Sequence, residues 1–267
     1  MTTATAPFGR SPSAANITAR TVLLGGMAAL GLGAYVSIRP EQPWILVLTT
    51  VLAALGTDGL VKAHPHWLNL RPLDSAVYTF LPALFVLGSG LFIDHAIDGY
   101  ARQPAAIAAG VAAGLVAFGE FQTVDFDGRL FGPFRLFMAV VTYVTAFAFF
   151  TVIYSRDFDL PFAGLFIASV SALLAMELFR ESRLLGLSSL LVSLAIGVTL
   201  GEFRLALYFY PLDGLLAGAL LLIGFYLATG VVHHILDRDL DIATAAEYVV
   251  VTLGASAAVV IARVVSG

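Results

Sequence analysis

The chain has no cysteine, and it carries few charges for its length. The absence of cysteine excludes disulfide bonds, thiolate metal sites and cysteine nucleophiles. Charged residues make up only 12% of the 267 residues, whereas soluble domains contain roughly 25%. Lys62 is the single lysine, and no run of basic residues occurs, which argues against nucleic acid as a partner.

Apolar residues dominate the rest of the composition. Hydrophobic residues account for 59% of the chain, and the mean hydropathy is +0.92. A water-soluble core cannot cover that much apolar surface, so the lipid bilayer is the expected solvent and partner. Residues 1–18 are small and polar and predict a disordered cytoplasmic tail, which leaves 19–267 as a single transmembrane domain.

Nine apolar segments approach the roughly 20 residues that a helix needs to cross the hydrocarbon core. The predicted spans are 19–38, 43–62, 72–95, 103–123, 132–154, 160–180, 184–206, 211–235 and 244–265. The sequence therefore predicts an all-α polytopic membrane bundle of about nine transmembrane helices. Only a short charged segment at 180–183 separates the sixth span from the seventh, so an eight-span arrangement is the alternative.

The distribution of basic residues predicts an orientation. With nine spans, nine of the 14 Lys and Arg residues fall on the side of the N-terminus and five fall on the other side. Loops on the cytoplasmic side carry the excess of Lys and Arg in membrane proteins. We therefore expect a bacterial-type inner membrane protein with a cytoplasmic N-terminus and its C-terminus outside.

One polar pattern occurs twice, at a constant offset of 139 residues. The two copies are Pro72-Leu73-Asp74 with His95 and Asp98, and Pro211-Leu212-Asp213 with His234 and Asp237. Copies five spans apart run in opposite directions, as in the inverted repeats of many transporters, with possible units 72–123 and 211–265. Helix-end preferences explain the same residues without duplication, since proline and aspartate suit the first turn and histidine the last. In either case His95 and His234 are predicted to lie on opposite sides of the membrane.

Small residues at a spacing of four predict close helix packing. Gly110 and Gly114 form a GxxxG motif in the fourth span, and Gly25 and Gly33 flank Ala29 in the first span. Such stripes let two backbones approach closely in a membrane. A glycine face lining a ligand is the alternative.

Glu120 is the ionisable residue most in need of an explanation. It lies inside the fourth span, and no basic residue occurs three or four positions away. Its partner must come from another helix, from water or from a proton, and a desolvated carboxylate can carry protons. Glu120, followed by Gln122, is therefore the leading candidate for a proton or substrate site, and a carboxyl group hydrogen-bonded near the interface is the alternative.

Three further acidic residues are weaker candidates for a proton or substrate site: Asp58, Glu177 and Glu202. Asp58 can pair with Lys62, and Glu177 can reach Arg180, because each pair is three or four residues apart. Glu202 and Arg204 are only two residues apart, so they do not face each other. Both are expected to extend to the membrane interface.

Two histidine pairs are expected to face the cytoplasm. His64 and His66 follow the second span, and His233 and His234 end the eighth. Imidazole is a good ligand for zinc, copper and iron, so these are weak candidates for a metal site. Solvated histidines at the interface are the preferred interpretation, and we expect no metal or cofactor.

The motifs point away from catalysis. No HExxH, GxSxG or P-loop sequence is present, so an enzyme is not favoured. The first interpretation is a non-catalytic binding, scaffold or accessory membrane subunit, acting with other membrane subunits or as a homo-oligomer. The alternative is a secondary transporter of a small solute, coupled to protons through Glu120. A lipid-modifying enzyme that uses a His/Asp cluster is the weakest of the three.

Overall fold

The structure is a computed structural model, and it describes residues 14–38, 42–69, 72–156, 158–180, 187–210, 212–237 and 241–266. The described residues form nine α-helices and contain no strand. The helices are α1 (Ala14–Ser37), α2 (Pro43–Val61), α3 (Pro72–Ala96), α4 (Arg102–Gln122), α5 (Phe131–Ser155), α6 (Leu160–Leu178), α7 (Leu187–Leu207), α8 (Gly214–Asp237) and α9 (Ile242–Ser266). Short 3₁₀ turns at Pro65–Asn69 and Gly99–Ala101 precede α3 and α4. The predicted all-α polytopic bundle is confirmed.

Eight helices, α1 to α8, are long and apolar enough to cross a membrane. In the ninth helix, the apolar segment among the described residues covers only Ala246–Ile261, which is shorter than a full span. Each predicted span corresponds to one helix, with ends that differ by a few residues. The charged segment expected between the sixth and seventh spans lies outside the described residues, except for Arg180. Of the predicted tail, residues 1–13 also lie outside them, and α1 begins at Ala14.

Consecutive helices run antiparallel: Gly31, late in α1, lies against Thr49, early in α2. The helices α1 and α4, which are not consecutive, are also antiparallel. Gly114, late in α4, packs on Gly25, early in α1, while the carbonyl of Gly33 accepts a hydrogen bond from Gln103 Nε2 over 3.2 Å at the other end of the pair. The same antiparallel arrangement relates α6 to α7 and α5 to α8. We call the end of the bundle where α1 begins the proximal end, and the opposite end the distal end.

Two helix pairs are joined by backbone contact between small residues. A Cβ added to Gly110 would overlap the backbone of Ala29, and one added to Gly114 would lie 3.0 Å from Gly25 Cα. On α7, a Cβ at Gly201 would lie 2.8 Å from the carbonyl oxygen of Gly164 on α6. Without an apolar driving force between helices in lipid, such close approach supplies the packing energy.

The fifth helix is the most enclosed of the spans. It contacts α3, α4, α6 and α8, and 61% of an apolar 18-residue segment of this helix is buried inside the bundle. Its side chain Phe150 is fully buried and packs edge to face on Phe225 of α8, with ring centroids 6.1 Å apart. Helices such as α1 and α2 expose leucines outward, including Leu30 and Leu55, as expected for surfaces that face lipid.

The two copies of the repeated pattern lie on helices of opposite direction. α3 begins at Pro72, as the sequence predicts, and ends at the distal end, whereas α8 ends at the proximal end. His95 and His234 therefore lie at opposite ends of the bundle, as predicted. In the second copy Asp213 is not in the first helical turn; it immediately precedes α8, and its carbonyl accepts the amide of Ala217 over 2.9 Å. Pro211 lies outside the described residues, and shared ancestry of the two copies stays a prediction.

Candidate functional site

Glu120 is completely buried and is paired with an arginine from another part of the chain. It lies in the last turn of α4, and none of its surface is exposed. Arg180, two residues beyond the end of α6, donates a hydrogen bond from Nη1 to Glu120 Oε2 over 2.6 Å. The other carboxylate oxygen, Oε1, is buried and has no hydrogen-bond partner among the described residues. The partner that the sequence required from outside the helix is therefore Arg180.

A second buried carboxylate extends this pair to α5. Glu177, on the last turn of α6, accepts a hydrogen bond from Arg180 Nη1 over 2.9 Å and another from Arg135 Nη1 over 3.1 Å. Arg135 Nη2 also donates to the carbonyls of Glu177 and Leu178, at 3.1 and 2.5 Å. These carbonyls belong to the end of α6, where the helix dipole favours a cation. Arg135 thus caps α6 and neutralises Glu177 at once.

We call Glu120, Arg135, Glu177 and Arg180 the charge cluster. Two further side chains, from outside the cluster, hold Arg180 in place. The guanidinium of Arg180 lies 4.1 Å from the ring centroid of Tyr78, on α3, and its Nη2 donates to Thr123 Oγ1 over 2.8 Å. The charge cluster therefore joins the proximal ends of four helices, α3, α4, α5 and α6.

The charge cluster contains two carboxyl groups and two guanidinium groups, so its acidic and basic groups are equal in number. Burial alone would lower the pKa of Arg180, but the neighbouring carboxylates of Glu120 and Glu177 outweigh it and raise that pKa above its ordinary value. Arg180 therefore stays charged at any physiological pH. Such a buried network is costly to break from one side, because the remaining partner is left as an uncompensated charge.

A cavity of about 210 Å³ lies beside the charge cluster at the proximal end. It is bounded by α5, the end of α6, α8 and α9, and its lining residues are Arg135, Ala139, Tyr143, Leu178, Phe179, Thr229, Gly230, His233 and Tyr248. We call it the proximal cavity. The hydroxyl oxygens of two lining residues, Tyr143 and Thr229, are hydrogen-bonded to each other at 3.1 Å. Its wall therefore combines aromatic surface with hydroxyl and imidazole groups.

Comparison with known proteins identifies a family by sequence. A family model described as "Protein of unknown function (DUF5656)" matches residues 20–262, from the second turn of α1 to near the end of α9. The chain belongs to the DUF5656 family. No curated protein and no solved structure matches it. The family description names no activity and no ligand. The charge cluster and the proximal cavity are therefore the features that bear on function.

The first histidine pair lies outside the spans, at the proximal end. The ring of His64 packs edge to face on Phe121 at 4.7 Å, and His66 Nδ1 lies 3.5 Å from Asp125 Oδ1. Burial lowers the pKa of His64, and the neighbouring His66 lowers it further, while Asp125 raises it. His64 therefore favours its neutral form in the folded protein.

The second histidine pair lies on α8 at the same end of the bundle. His233 lines the proximal cavity, and the ring centroid of His234 lies 5.7 Å from that of Tyr248. Within the described part of the chain, no three His, Asp or Glu side chains come together in a way that could hold a metal ion. Asp237 follows this pair in the sequence, and its side chain is not among those that the structure describes.

The remaining candidates for a proton or substrate site do not join the charge cluster. Asp58 pairs with Lys62 over 2.6 Å, as the sequence predicts. Gln122 is half-buried at the end of α4, and Glu202 is exposed on α7. Arg204 differs from expectation: only 5% of it is exposed, because its guanidinium stacks on Tyr154 instead of extending to the interface.

Sequence reasoning did not find most of the residues that surround Glu120. Arg135 entered the sequence prediction only as one of the basic residues that indicate orientation in the membrane. No pattern in the sequence indicates a role for Tyr78 or Thr123. Arg180 was assigned to Glu177, three residues away, and its longer-range contact with Glu120 was missed. The usable signal was the lone carboxylate itself, because a buried charge requires a partner.

Proposed function

We propose that this protein is a non-catalytic binding protein of the membrane, and that the proximal cavity receives its ligand. The observation that carries this proposal is the polar and aromatic lining of that cavity beside a charge cluster in which each carboxyl group contacts an arginine. Small-molecule sites are typically concave and mostly apolar, with a few placed polar groups that orient the ligand. We place it in a bacterial-type inner membrane with the proximal end in the cytoplasm, from the Lys and Arg bias.

The chemistry of the lining indicates the class of ligand. The guanidinium of Arg135 is already engaged by Glu177, so the cavity presents little net charge to a ligand. Tyr143, Thr229 and Tyr248 supply hydroxyl groups, and the aromatic rings supply flat apolar surface. These features fit a small neutral molecule with an aromatic or aliphatic body and one or two hydrogen-bonding groups.

The same observations support a binding or accessory role over catalysis. Both carboxyl groups of the charge cluster are held by arginines, and these contacts tie the ends of three helices, α4, α5 and α6, together. A general acid or base has to be free to exchange a proton with a substrate in the site. Groups locked into a buried network are better suited to keeping the cavity wall in a fixed shape.

The experiment is to purify the protein in a mild detergent and to identify bound molecules by mass spectrometry of a solvent extract. Ala139 lines the proximal cavity, whereas the next residue, Val140, is 53% exposed on the outer face of α5. Ala139→Phe should fill the cavity and eliminate the bound molecule, and the matched control Val140→Phe should retain it. Absence of any stoichiometric molecule from the wild-type protein, or equal retention by Ala139→Phe, would reject the proposal.

Proton-coupled transport of a small solute is the second candidate, and one observation favours it. Glu120 Oε1 is buried without a hydrogen-bond partner among the described residues, so it can accept a proton while Oε2 keeps its bond to Arg180. Proteoliposomes with an entrapped pH-sensitive dye and a potassium-diffusion potential test this. A proton flux that Glu120→Gln abolishes would favour transport, whereas no flux, or a flux that the substitution leaves unchanged, removes Glu120 from that role.

A further inference from the structure

Arg204 is a buried cation with no carboxylate beside it among the described residues. It lies in the last turn of α7, at the distal end, and only 5% of its surface is exposed. In the part of the chain that the structure describes, its buried Nε and Nη1 atoms have no hydrogen-bond partner, and no carboxylate forms an ion pair with it. Glu202 lies two residues away, on a different face of the helix. In the charge cluster, by contrast, both arginines are paired with carboxylates.

The position of the guanidinium is fixed by an aromatic platform. Arg204 lies 4.3 Å from the ring centroid of Tyr154, near the end of α5. The hydroxyl of Tyr154 is within 3.1 Å of two carbonyl oxygens, those of Leu207 and Tyr210, which hold it against the end of α7 and the connection to α8. The ring stabilises the cation through its π face but accepts no hydrogen bond from Nε or Nη1. Those donors remain available to an anion.

We infer that Arg204 binds the phosphate group of an anionic molecule at the distal end of the bundle. The planar guanidinium presents parallel N–H donors that match two oxygens of a phosphate: Nη2 forms such a pair with Nε on one edge and with Nη1 on the other. Both Nε and Nη1 lack an acceptor among the described residues. A cation that is already desolvated and stacked is preorganised for such a pair. This site is separate from the proximal cavity, which lies at the other end of the bundle.

The surroundings place this site at the depth of the lipid headgroups. Tyr208 and Tyr210 follow Arg204 within two turns and are 56% and 65% exposed. Tyrosine is enriched where the membrane meets water, so this end of α7 lies at that boundary. Two sources of phosphate reach this depth: the headgroup of an anionic lipid and a free phosphate from solution.

The test measures thermal unfolding of the full chain in dodecyl maltoside, which contains no phosphate. One arm adds phosphatidylglycerol, and the other adds inorganic phosphate against sodium chloride of equal ionic strength. A ligand that binds only the folded state raises the midpoint temperature, and we expect a rise of roughly 5 °C at saturation. A rise with the lipid alone identifies a lipid headgroup, and a rise with phosphate alone identifies a soluble anion. A rise in neither arm overturns the inference.

Matched variants show whether Arg204 is responsible. Arg204→Met keeps an apolar stem of similar length over Tyr154 and should eliminate the rise. Arg156 is another cation at the distal end, and 46% of its side chain is exposed. Arg156→Met should therefore show the same rise in midpoint temperature as the wild type. Arg204→Lys retains the charge without the paired donors and should show a smaller rise than the wild type. A rise that persists unchanged in Arg204→Met would contradict the assignment.

Discussion

Arg180 and Glu120 are 60 residues apart in sequence, yet their side chains meet over 2.6 Å in the interior of the bundle. The contact connects the residue just beyond α6 to the last turn of α4. Glu177 shares the same guanidinium nitrogen, so the two carboxylates are coupled through one arginine. Stability at the proximal end therefore depends on these groups as a unit.

The first prediction concerns this coupling. Glu120→Leu and Arg180→Leu each leave a buried charge without its partner, and each should lower the free energy of unfolding by about 3–5 kcal/mol. The double variant should lose less than the sum of the two, by about 1–3 kcal/mol, because it removes both charges together. Unfolding titrations in mixed micelles measure all four proteins of the cycle. Glu202→Gln, at an exposed carboxylate on α7, serves as the control, and strict additivity would contradict the coupling.

The second prediction concerns the contact between α1 and α4. Gly110→Ala places a Cβ against the backbone of Ala29, so the two helices must separate, at a cost of about 1–3 kcal/mol. Gly26→Ala is the matched control, because a Cβ at that position meets nothing within 4 Å. Midpoint temperatures of the two variants and the wild type give the comparison. Equal stability of the two variants would show that α1 and α4 do not pack as described.

The third prediction is a pH dependence from His64. Because the pKa of His64 is lowered in the folded protein, its contribution to stability is complete above the unfolded pKa, about 6.5, and is lost as the pH falls below it. His64→Phe keeps a ring against Phe121 and should lose less stability between pH 7.5 and pH 5.5 than the wild type. Substitution of the exposed His95 by Phe, at the distal end, should leave the wild-type slope unchanged. The same loss in His64→Phe as in the wild type would refute this role.

The fourth prediction concerns orientation in the membrane. The chain has no native cysteine, so single introduced thiols report without background. Asp98→Cys, with an exposed side chain at the distal end, should react with an impermeant maleimide from outside the cell. Asp127→Cys, exposed in the proximal connection between α4 and α5, should react only after the membrane is opened. Labelling of both positions from the same side would contradict the antiparallel alternation of the helices.

Helix positions were predictable from the sequence because each span needs a continuous apolar segment of fixed length. Short connections then make neighbouring helices antiparallel, which is why the opposite positions of His95 and His234 could be anticipated. The charge cluster was not predictable to the same extent, since Arg135 and Glu177 are 42 residues apart and no local spacing joins them. The prediction for Arg204 was wrong because a residue near a helix end is expected to extend to water. The stacking that buries it depends on Tyr154, which reaches the end of α7 from α5, 50 residues earlier in the chain.

The most direct test of the proposed binding role is an experimental structure of the protein in its native lipid, with an antibody fragment as a fiducial. We predict density for a small molecule in the proximal cavity, in contact with the hydroxyl groups of Tyr143 and Thr229, and none in the same cavity of Ala139→Phe. A wild-type cavity that holds only water, or that has closed around its own side chains, would contradict the account.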